Sequence, residues 1–301
     1  MLLQLDSNYS GKDYLIGDVH NCGELLELVL KKLAPHDRLF MVGDLFDRGP
    51  EPLKVYSLIQ QYPIFVARGN HENMLLKAFA TDATAEDIYY FLLNGGEWVL
   101  AEPQHRRMLK TALYADTIDL ETCKQCFLNY SKIEGLTPLL SYAQQLPYIL
   151  RVGTPDTDGF LVCHADMPFS DPELDTLFSM HEDSLSLDDR THLTWARLHV
   201  NGLPTYAQGK RSAASMPVYC GHNIVTCGED AVRHDSNHIN LDGGAFRSDC
   251  FIVANHTDKQ ATVVTLPNTQ SNPYRETVQD ARNVIEMYLK TKDFSSRLSV
   301  I

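Results

Sequence analysis

Strand and helix signals alternate along the first third of this 301-residue chain, and this alternation restricts the fold more than any other feature of the sequence. Short apolar strand signals lie at 14–17, 38–42 and 64–67. They alternate with segments of helical periodicity at 24–33, 53–61 and 72–79. Successive strands joined by helices form parallel sheets. The first third therefore predicts an α/β arrangement with parallel strands.

The rest of the chain divides into a helical part and a second strand-rich part. Residues 84–145 have helical patterning and almost no strand signal, which predicts a helical insertion. Strand signals then return at 148–152, 160–163, 218–220, 239–241, 251–254 and 262–266, and they favour a second sheet facing the first. A polar segment at 268–273 and helical spacing at 277–289 predict a linker and a terminal helix. We expect a domain over 1–267, with 84–145 inserted, followed by a linker and C-terminal helix over 268–301.

Composition restricts the partners and the compartment. The net charge of −13 repels nucleic acid and anionic lipid, so a bound phosphate must be attracted by local positive charge. No apolar run approaches the ~20 residues of a membrane span, and residues 1–12 lack the pattern of a signal peptide. Seven cysteines, an odd number, favour reduced thiols and a cytoplasmic location, with export by an unrecognised signal as the alternative.

Three segments in the first quarter share one layout, in which an apolar strand ends in glycine and then in polar residues of metal-binding type. They read LIGDVH at 15–20, FMVGDLFDRG at 40–49 and VARGNHE at 66–72. Ligands of α/β proteins bind beyond the carboxyl ends of parallel strands. We therefore expect Asp18, His20, Asp44 and Asn70 to lie close together.

Two later histidines follow strand signals in the same way, His164 after 160–163 and His222 after 218–221. A lone histidine is usually structural, but the first three segments make a ligand role the better interpretation for both. Carboxylate, amide and imidazole ligands without thiolate suit Mn²⁺, Fe or Zn²⁺. Asp44, on the central strand, is the candidate for a bridging ligand.

The motifs G-D-x-H, G-D-x-x-D-R-G and G-N-H-E, in this order and followed by isolated histidines, resemble the PPP family of metallophosphatases, and most closely its bacterial and bacteriophage lambda type. The resemblance covers about residues 14–246. It implies a calcineurin-like metallophosphoesterase fold and two divalent ions, with Mn²⁺ as the first expectation and Fe or Zn as alternatives. It assigns the first ion to Asp18, His20 and Asp44, and the second to Asp44, Asn70, His164 and His222.

The same resemblance implies hydrolysis of phosphoserine or phosphothreonine by direct attack of a metal-bridging hydroxide, without a phosphoenzyme. A departing alkoxide needs a general acid, and His71 is placed for that task, with Asp47 to orient it. Arg48 and Arg197 are the candidates for binding the phosphate. Plainer alternatives are a helix-capping role for Asp47, a surface role for Arg48 and a packing role for Arg197.

Three functions remain open on the sequence alone. A Ser/Thr protein phosphatase is the leading interpretation, because Asp47 stands beside Arg48 and Glu72 completes the third motif. The runner-up is a symmetrical dinucleoside tetraphosphate hydrolase, whose members resemble this chain but typically lack this aspartate and carry Asp at the position of Glu72. A phosphopeptide-binding module without catalysis is the third, and phosphotyrosine also remains open as a substrate.

The chain departs from the PPP pattern at two positions. Asn21 replaces the usual glycine after the first histidine, and asparagine can preserve a turn with positive φ. Asp166 adds a carboxylate two residues after His164, where it could change substrate preference or the charge at the metals. The insertion over 84–145 is also long, and we expect it to help select substrates.

Overall fold

The computed structural model describes residues 1–180, 185–197, 214–233, 237–267 and 272–291, which form two mixed β-sheets. The first sheet has, in spatial order, β11 (Gln260–Thr265), β10 (Cys250–Asn255), β2 (Asp13–Ile16), β3 (Arg38–Met41) and β4 (Ile64–Val66). The second has β1 (Leu2–Leu5), β5 (Ile149–Val152), β6 (Phe160–Val162), β7 (Val218–Cys220), β9 (His238–Asn240) and β8 (Val232–Arg233).

Parallel pairing in both sheets directs several strand ends the same way. In the first sheet β2, β3 and β4 are parallel, with Leu15 opposite Phe40 and Phe40 opposite Phe65. In the second sheet β6, β7 and β9 are parallel, with Val162 opposite Tyr219. Each sheet also contains antiparallel pairs, such as β10 with β2 and β5 with β6. The parallel strands are the ones that lead into the motif segments.

The sheets pack face to face because side chains alternate along each strand. Leu15 and Phe40 point into a core that they share with Phe160 and Ile239 of the second sheet. Neighbouring residues such as Met41 point the other way and pack against helices. Both outer faces carry helices, so the predicted α/β fold of two facing mixed sheets with flanking helices and a helical insertion is confirmed.

The helices lie between the strands in chain order. They are α1 (Gly23–Leu30), α2 (Pro52–Gln61), α3 (Asn70–Ala78), α4 (Ala85–Leu93), α5 (Pro103–Tyr114), α6 (Leu120–Tyr130), α7 (Leu136–Gln145), α8 (Asp171–Ser179), α9 (Leu187–Trp195), α10 (Ala245–Ser248) and α11 (Tyr274–Thr291). In α1, Leu25, Leu26 and Val29 share one face and are buried. Within the described ranges, no helix has the length and apolarity needed to cross a membrane.

The residues between 84 and 145 form α4 to α7, which pack on the helical side of the first sheet. Helix α4 is capped by Thr84, whose hydroxyl accepts a hydrogen bond from the Asp87 N–H in a capping box. Phe91 of α4 and Phe127 of α6 are buried in the same core as α3. The four helices are therefore continuous with the core beneath the site.

Helix α11 packs against the core between the sheets. Val278, Ala281, Ile285 and Leu289, which the sequence places on one face, are all buried there. Part of the predicted linker, 268–271, and the last ten residues, 292–301, lie outside the described residues.

The predicted secondary structure omits the helices α8 and α9 and two short strands. No strand was predicted at β1, which has four residues, or at β8, which has two. Pairs this short gain their stability from tertiary pairing, since β1 is parallel to β5 along its whole length. The helix predicted over 24–33 ends at Leu30, and Lys32 and Leu33 follow in a tighter turn with bonds to residues three positions back.

Candidate metal centre

The loops that follow β2, β3, β4, β6 and β7 meet at one end of the two sheets. They carry the six side chains that the sequence singles out as metal ligands, each no more than 9% exposed: Asp18, His20, Asp44, Asn70, His164 and His222. The backbone φ is positive at His20 (45°), Asp44 (50°) and His222 (67°). Non-glycine residues rarely adopt this conformation, and such strain concentrates at functional sites.

Four donor atoms form one tight group at the centre of these loops. His164 Nε2 lies 2.8 Å from Asn70 Oδ1, 3.2 Å from His222 Nδ1 and 3.3 Å from Asp44 Oδ2. His222 Nδ1 is also 3.0 Å from Asn70 Oδ1. Two ligands that each bind one ion at about 2.1 Å lie roughly 3–3.4 Å apart, so these spacings match a shared ion.

The hydrogen bonds around this group are compatible with a bound cation. His164 Nδ1 lies 3.1 Å from the Val42 carbonyl oxygen, which assigns the ring hydrogen to Nδ1 and leaves a lone pair on Nε2. That lone pair faces the amide oxygen of Asn70 and the carboxylate of Asp44. A proton can substitute for an ion here: although burial opposes it, Asp44, Asp18 and Glu72 raise the pKa of His164 to about 9. The donor set therefore fits a bound divalent ion.

A second group of donors also includes Asp44. His20 Nε2 is 3.8 Å from Asp44 Oδ2 and 3.9 Å from Asp18 Oδ2, and His20 Nδ1 lies 3.0 Å from the Phe46 carbonyl oxygen. The Asp18 carboxylate accepts a hydrogen bond from the His222 N–H at 3.1 Å. Burial, together with the charge of Asp242, raises the pKa of Asp18 well above its usual range. A cation beside Asp18 would remove that penalty.

A buried histidine and carboxylate pair borders both groups. His71 Nδ1 lies 2.6 Å from Asp47 Oδ2, and His71 Nε2 lies 3.7 Å from Asp44 Oδ2. His71 is 1% exposed and Asp47 is fully buried. Burial raises the pKa of Asp47, while the hydrogen bonds from His71 and Trp98 oppose that shift. Asp47 therefore fixes the imidazole so that Nε2 faces the metal-type donors.

Two arginines lie at the site. The Arg48 guanidinium is within 3.1 Å of His20 Nε2 and 3.0 Å of His71 Nε2, and it stacks 4.9 Å from the centre of the Phe246 ring. Arg197 Nη1 donates to Asn223 Oδ1 at 3.2 Å, which places its charge beside His222. Both cations can neutralise a bound anion, and Arg48 is the closer of the two to His71.

Glu72 ties the second and third motifs together. Its fully buried carboxylate accepts hydrogen bonds from the backbone N–H groups of Gly69 at 2.9 Å, Asp44 at 3.0 Å and Leu45 at 2.8 Å. These bonds hold the strained loop at Asp44 against the start of α3. The sequence marked Glu72 only by resemblance, and the structure supplies the physical reason for it.

The two departures from the PPP pattern have different structural outcomes. Asn21 has a φ of 57°, so asparagine occupies a left-handed turn there, as the sequence suggested. Asp166 points away from the metal-type donors into a buried network, with His238 at 3.0 Å and both His192 and Arg233 at 3.2 Å. These partners form ion pairs and hydrogen bonds with the Asp166 carboxylate. Asp166 therefore links the His164 loop to α9 and β9 and does not add a ligand.

Sequence reasoning missed Trp98, whose indole Nε1 donates to Asp47 Oδ1 at 2.6 Å. A tryptophan 51 positions from its acceptor carries no local signal of that contact. The doubled glycine at 95–96, which marks a tight turn just before it, was the one available clue.

Comparison with known proteins places these features in a family. A sequence profile described as calcineurin-like phosphoesterase matches residues 14–240. The Escherichia coli K12 protein named serine/threonine-protein phosphatase 2 is 31% identical over 161 residues, which cover 52% of this chain and 60% of that protein. A Coxiella burnetii protein named symmetrical bis(5'-nucleosyl)-tetraphosphatase is 30% identical over 155 residues, or 50% of each chain. A solved Saccharomyces cerevisiae protein serine/threonine phosphatase is similar at 13% identity and a TM-score of 0.48, over 91% of this chain and 86% of that one.

The profile match spans all three motifs together with His164 and His222. The chain belongs to the calcineurin-like phosphoesterase family. It is a metallophosphoesterase, and this family uses a dinuclear metal centre. The match to the two curated relatives spans no more than 60% of their length.

Proposed function

We propose that the protein is a phosphoprotein phosphatase that hydrolyses phosphoserine and phosphothreonine monoesters. The observation that carries this proposal is the buried Asp47–His71 pair, joined at 2.6 Å and facing the metal-type donors. The leaving group of a phosphoserine is an alkoxide, which must gain a proton as it departs. A positioned general acid therefore matters most for this class of ester.

The proposal assigns two divalent ions to the two groups of donors. Asp18, His20 and Asp44 would hold one ion, and Asp44, Asn70, His164 and His222 the other. Bound there, the ions supply Lewis-acid charge and lower the pKa of a water molecule toward neutrality, so that it can attack phosphorus. Oxygen and imidazole donors suit Mn²⁺, with Fe and Zn²⁺ as alternatives.

The protein side chains have separate tasks in this proposal. Arg48 and Arg197 attract the phosphate by bidentate hydrogen bonds, which local cations must do in a chain of net charge −13. His71 donates a proton from Nε2 to the departing oxygen, and Asp47 keeps the ring in place. Since Arg48 now bonds to both His20 Nε2 and His71 Nε2, ligation of an ion by His20 and proton donation by His71 both require Arg48 to release those nitrogens.

The second candidate is the symmetrical dinucleoside tetraphosphatase, supported by the Coxiella burnetii relative. Its leaving group is a nucleoside phosphate anion, which departs with little help from a general acid. The Asp47–His71 pair therefore favours the monoesterase. Phosphotyrosine and a non-catalytic phosphopeptide-binding role are further outcomes of the test. All seven cysteines are free thiols, which supports a reducing compartment such as the cytoplasm.

The test is phosphate release by metal-stripped protein after addition of Mn²⁺, with Asp44→Asn as the control. The substrates are a phosphoserine peptide, a phosphotyrosine peptide and diadenosine tetraphosphate. Release from the phosphoserine peptide that is lost in Asp44→Asn supports the proposal. Turnover of the dinucleotide alone supports the second candidate, release from phosphotyrosine alone changes the residue class, and peptide binding without release supports the binding module.

A further inference from the structure

The helical insertion reaches the Asp47–His71 pair through the short 3₁₀ turn Gly96–Val99, which follows α4. Trp98 in this turn is 5% exposed and donates its indole N–H to Asp47 Oδ1 at 2.6 Å. The other oxygen, Asp47 Oδ2, lies 2.6 Å from His71 Nδ1. Each oxygen of the Asp47 carboxylate thus has its own hydrogen-bond partner, Trp98 for Oδ1 and His71 for Oδ2.

The same turn also holds the residue next to Asp47. The Arg48 N–H donates to the Gly95 carbonyl oxygen at 3.1 Å. Gly95 has a φ of +100°, and a Cβ there would lie 2.7 Å from the Arg48 nitrogen. Only glycine fits this approach. The insertion therefore contacts the backbone of Arg48 and the side chain of Asp47 within four residues.

We propose that Trp98 is a positioning residue for the reaction, which acts on His71 through Asp47. This inference rests on the general-acid role of His71 in the proposed function. A buried carboxylate that loses one of two donors keeps an unpaired oxygen, so it rotates or shares the remaining partner. Either response turns the imidazole away from the geometry that directs Nε2 at the donor atoms of the metal centre.

The packing around the turn explains why Trp98 can act as a fixed support. Its ring lies 6.0 Å from the Phe46 ring, in the core beneath the second motif. Gly96 packs so closely on Phe91 that a Cβ would lie 2.4 Å from that ring. Helix α4, which precedes the turn, packs against α3, the helix that begins with Asn70 and His71. Deleting the whole insertion would therefore disturb the catalytic pair as well as any substrate groove, and point variants are needed.

The kinetic test compares two aryl monoesters, phenyl phosphate and p-nitrophenyl phosphate, in the Mn²⁺-loaded enzyme. Phenolate is the stronger base, so its departure depends more on a general acid. We expect Trp98→Phe to lower kcat for phenyl phosphate about tenfold and for p-nitrophenyl phosphate less than about threefold, with KM unchanged. In an Asp47→Asn background the same substitution should add no further loss. Equal losses on both esters, or full additivity with Asp47→Asn, would overturn the proposal.

Phe127→Leu is the matched control, because Phe127 is a buried aromatic residue of the insertion that packs on Phe79 and Phe91. It should lower stability without changing the ratio of the two kcat values. If it changes that ratio as Trp98→Phe does, general loosening of the insertion explains the effect and the proposal fails. The aryl esters report on Trp98 even if the native substrate proves to be a dinucleotide, so failure of the proposed function is seen separately, in the peptide assay.

A second readout needs no activity. The chain has two tryptophans, and Trp195→Phe identifies which indole N–H resonance belongs to Trp98 in the proton spectrum of the metal-free protein. A charge-assisted bond to a buried carboxylate predicts a downfield, slowly exchanging Trp98 resonance that moves upfield in Asp47→Asn. A Trp98 resonance that exchanges freely and does not respond to Asp47→Asn would overturn the contact on which the proposal depends.

Discussion

Addition of Mn²⁺ to the metal-stripped protein should raise its melting temperature by an amount that depends on the number of ions bound. At a free Mn²⁺ concentration of 100 times Kd, one site stabilises the fold by about 2.7 kcal/mol. An unfolding entropy of about 2.1 cal/mol/K per residue gives roughly 0.6 kcal/mol/K for 301 residues. One ion should therefore raise Tm by about 4 °C, and two ions by about 8 °C.

Two substitutions separate these contributions. Asp44 Oδ2 lies 3.3 Å from His164 Nε2 and 3.8 Å from His20 Nε2, so Asp44→Asn weakens both groups of donors and should remove most of the rise. Asn70 belongs to one group only, and Asn70→Ala should leave a rise of about 4 °C. The control is Asp175→Asn at an exposed ion pair, which should keep the full rise. Differential scanning calorimetry with and without Mn²⁺ measures each shift, and a full rise in Asp44→Asn would refute the assignment.

Three further predictions test other parts of the structure. His71→Asn should lower kcat for a phosphoserine peptide by roughly 10²–10⁴-fold while keeping the Mn²⁺-dependent rise in Tm, and unchanged turnover would remove His71 from the mechanism. Burial and the charge of Lys259 lower the pKa of His256 to about 4, so this ring is neutral in the fold but protonated in the unfolded chain below about pH 6.5. Its contribution to stability should therefore be complete above pH 6.5 and fall by up to about 3 kcal/mol as the pH drops toward 4. Urea denaturation at a series of pH values in this range should show that the free energy of unfolding depends less on pH in His256→Phe than in the unmodified protein. An identical pH dependence would contradict the assignment. Gly95→Ala should lower both Tm and kcat, whereas Gly135→Ala, also at positive φ but with only ordinary contact to a leucine methyl, should lower Tm and leave kcat unchanged. Equal kcat values for these two variants would argue against the contact between the insertion and Arg48.

The strand-end motifs were the most predictable part of the site, for a local physical reason. Each of Asp18, Asp44 and Asn70 follows a short apolar strand within a few residues, and parallel strands bring their carboxyl ends to one edge. A ligand role for His164 and His222 could be inferred only in combination with the first three motifs. The structure brings all of these side chains together, and their roles as ligands remain our proposal.

Contacts between distant segments could not be predicted in the same way. The bond from Trp98 to Asp47 depends on how the insertion packs against α3, and no periodicity encodes that geometry. From the sequence, Asp166 was expected to add a carboxylate near the metals. The orientation of its side chain is set by His192 and His238, which are 26 and 72 positions away in the sequence. The short strand β1 likewise forms because β5 provides a partner.

The most direct test of a two-ion catalytic centre is a titration of Mn²⁺ into metal-stripped protein, followed by the rate of phosphate release from a phosphoserine peptide. We expect no release without metal, a rate that increases until two equivalents per chain are bound, and no such increase in Asp44→Asn. Full activity without a divalent ion, or saturation at one equivalent, would contradict the two-ion centre.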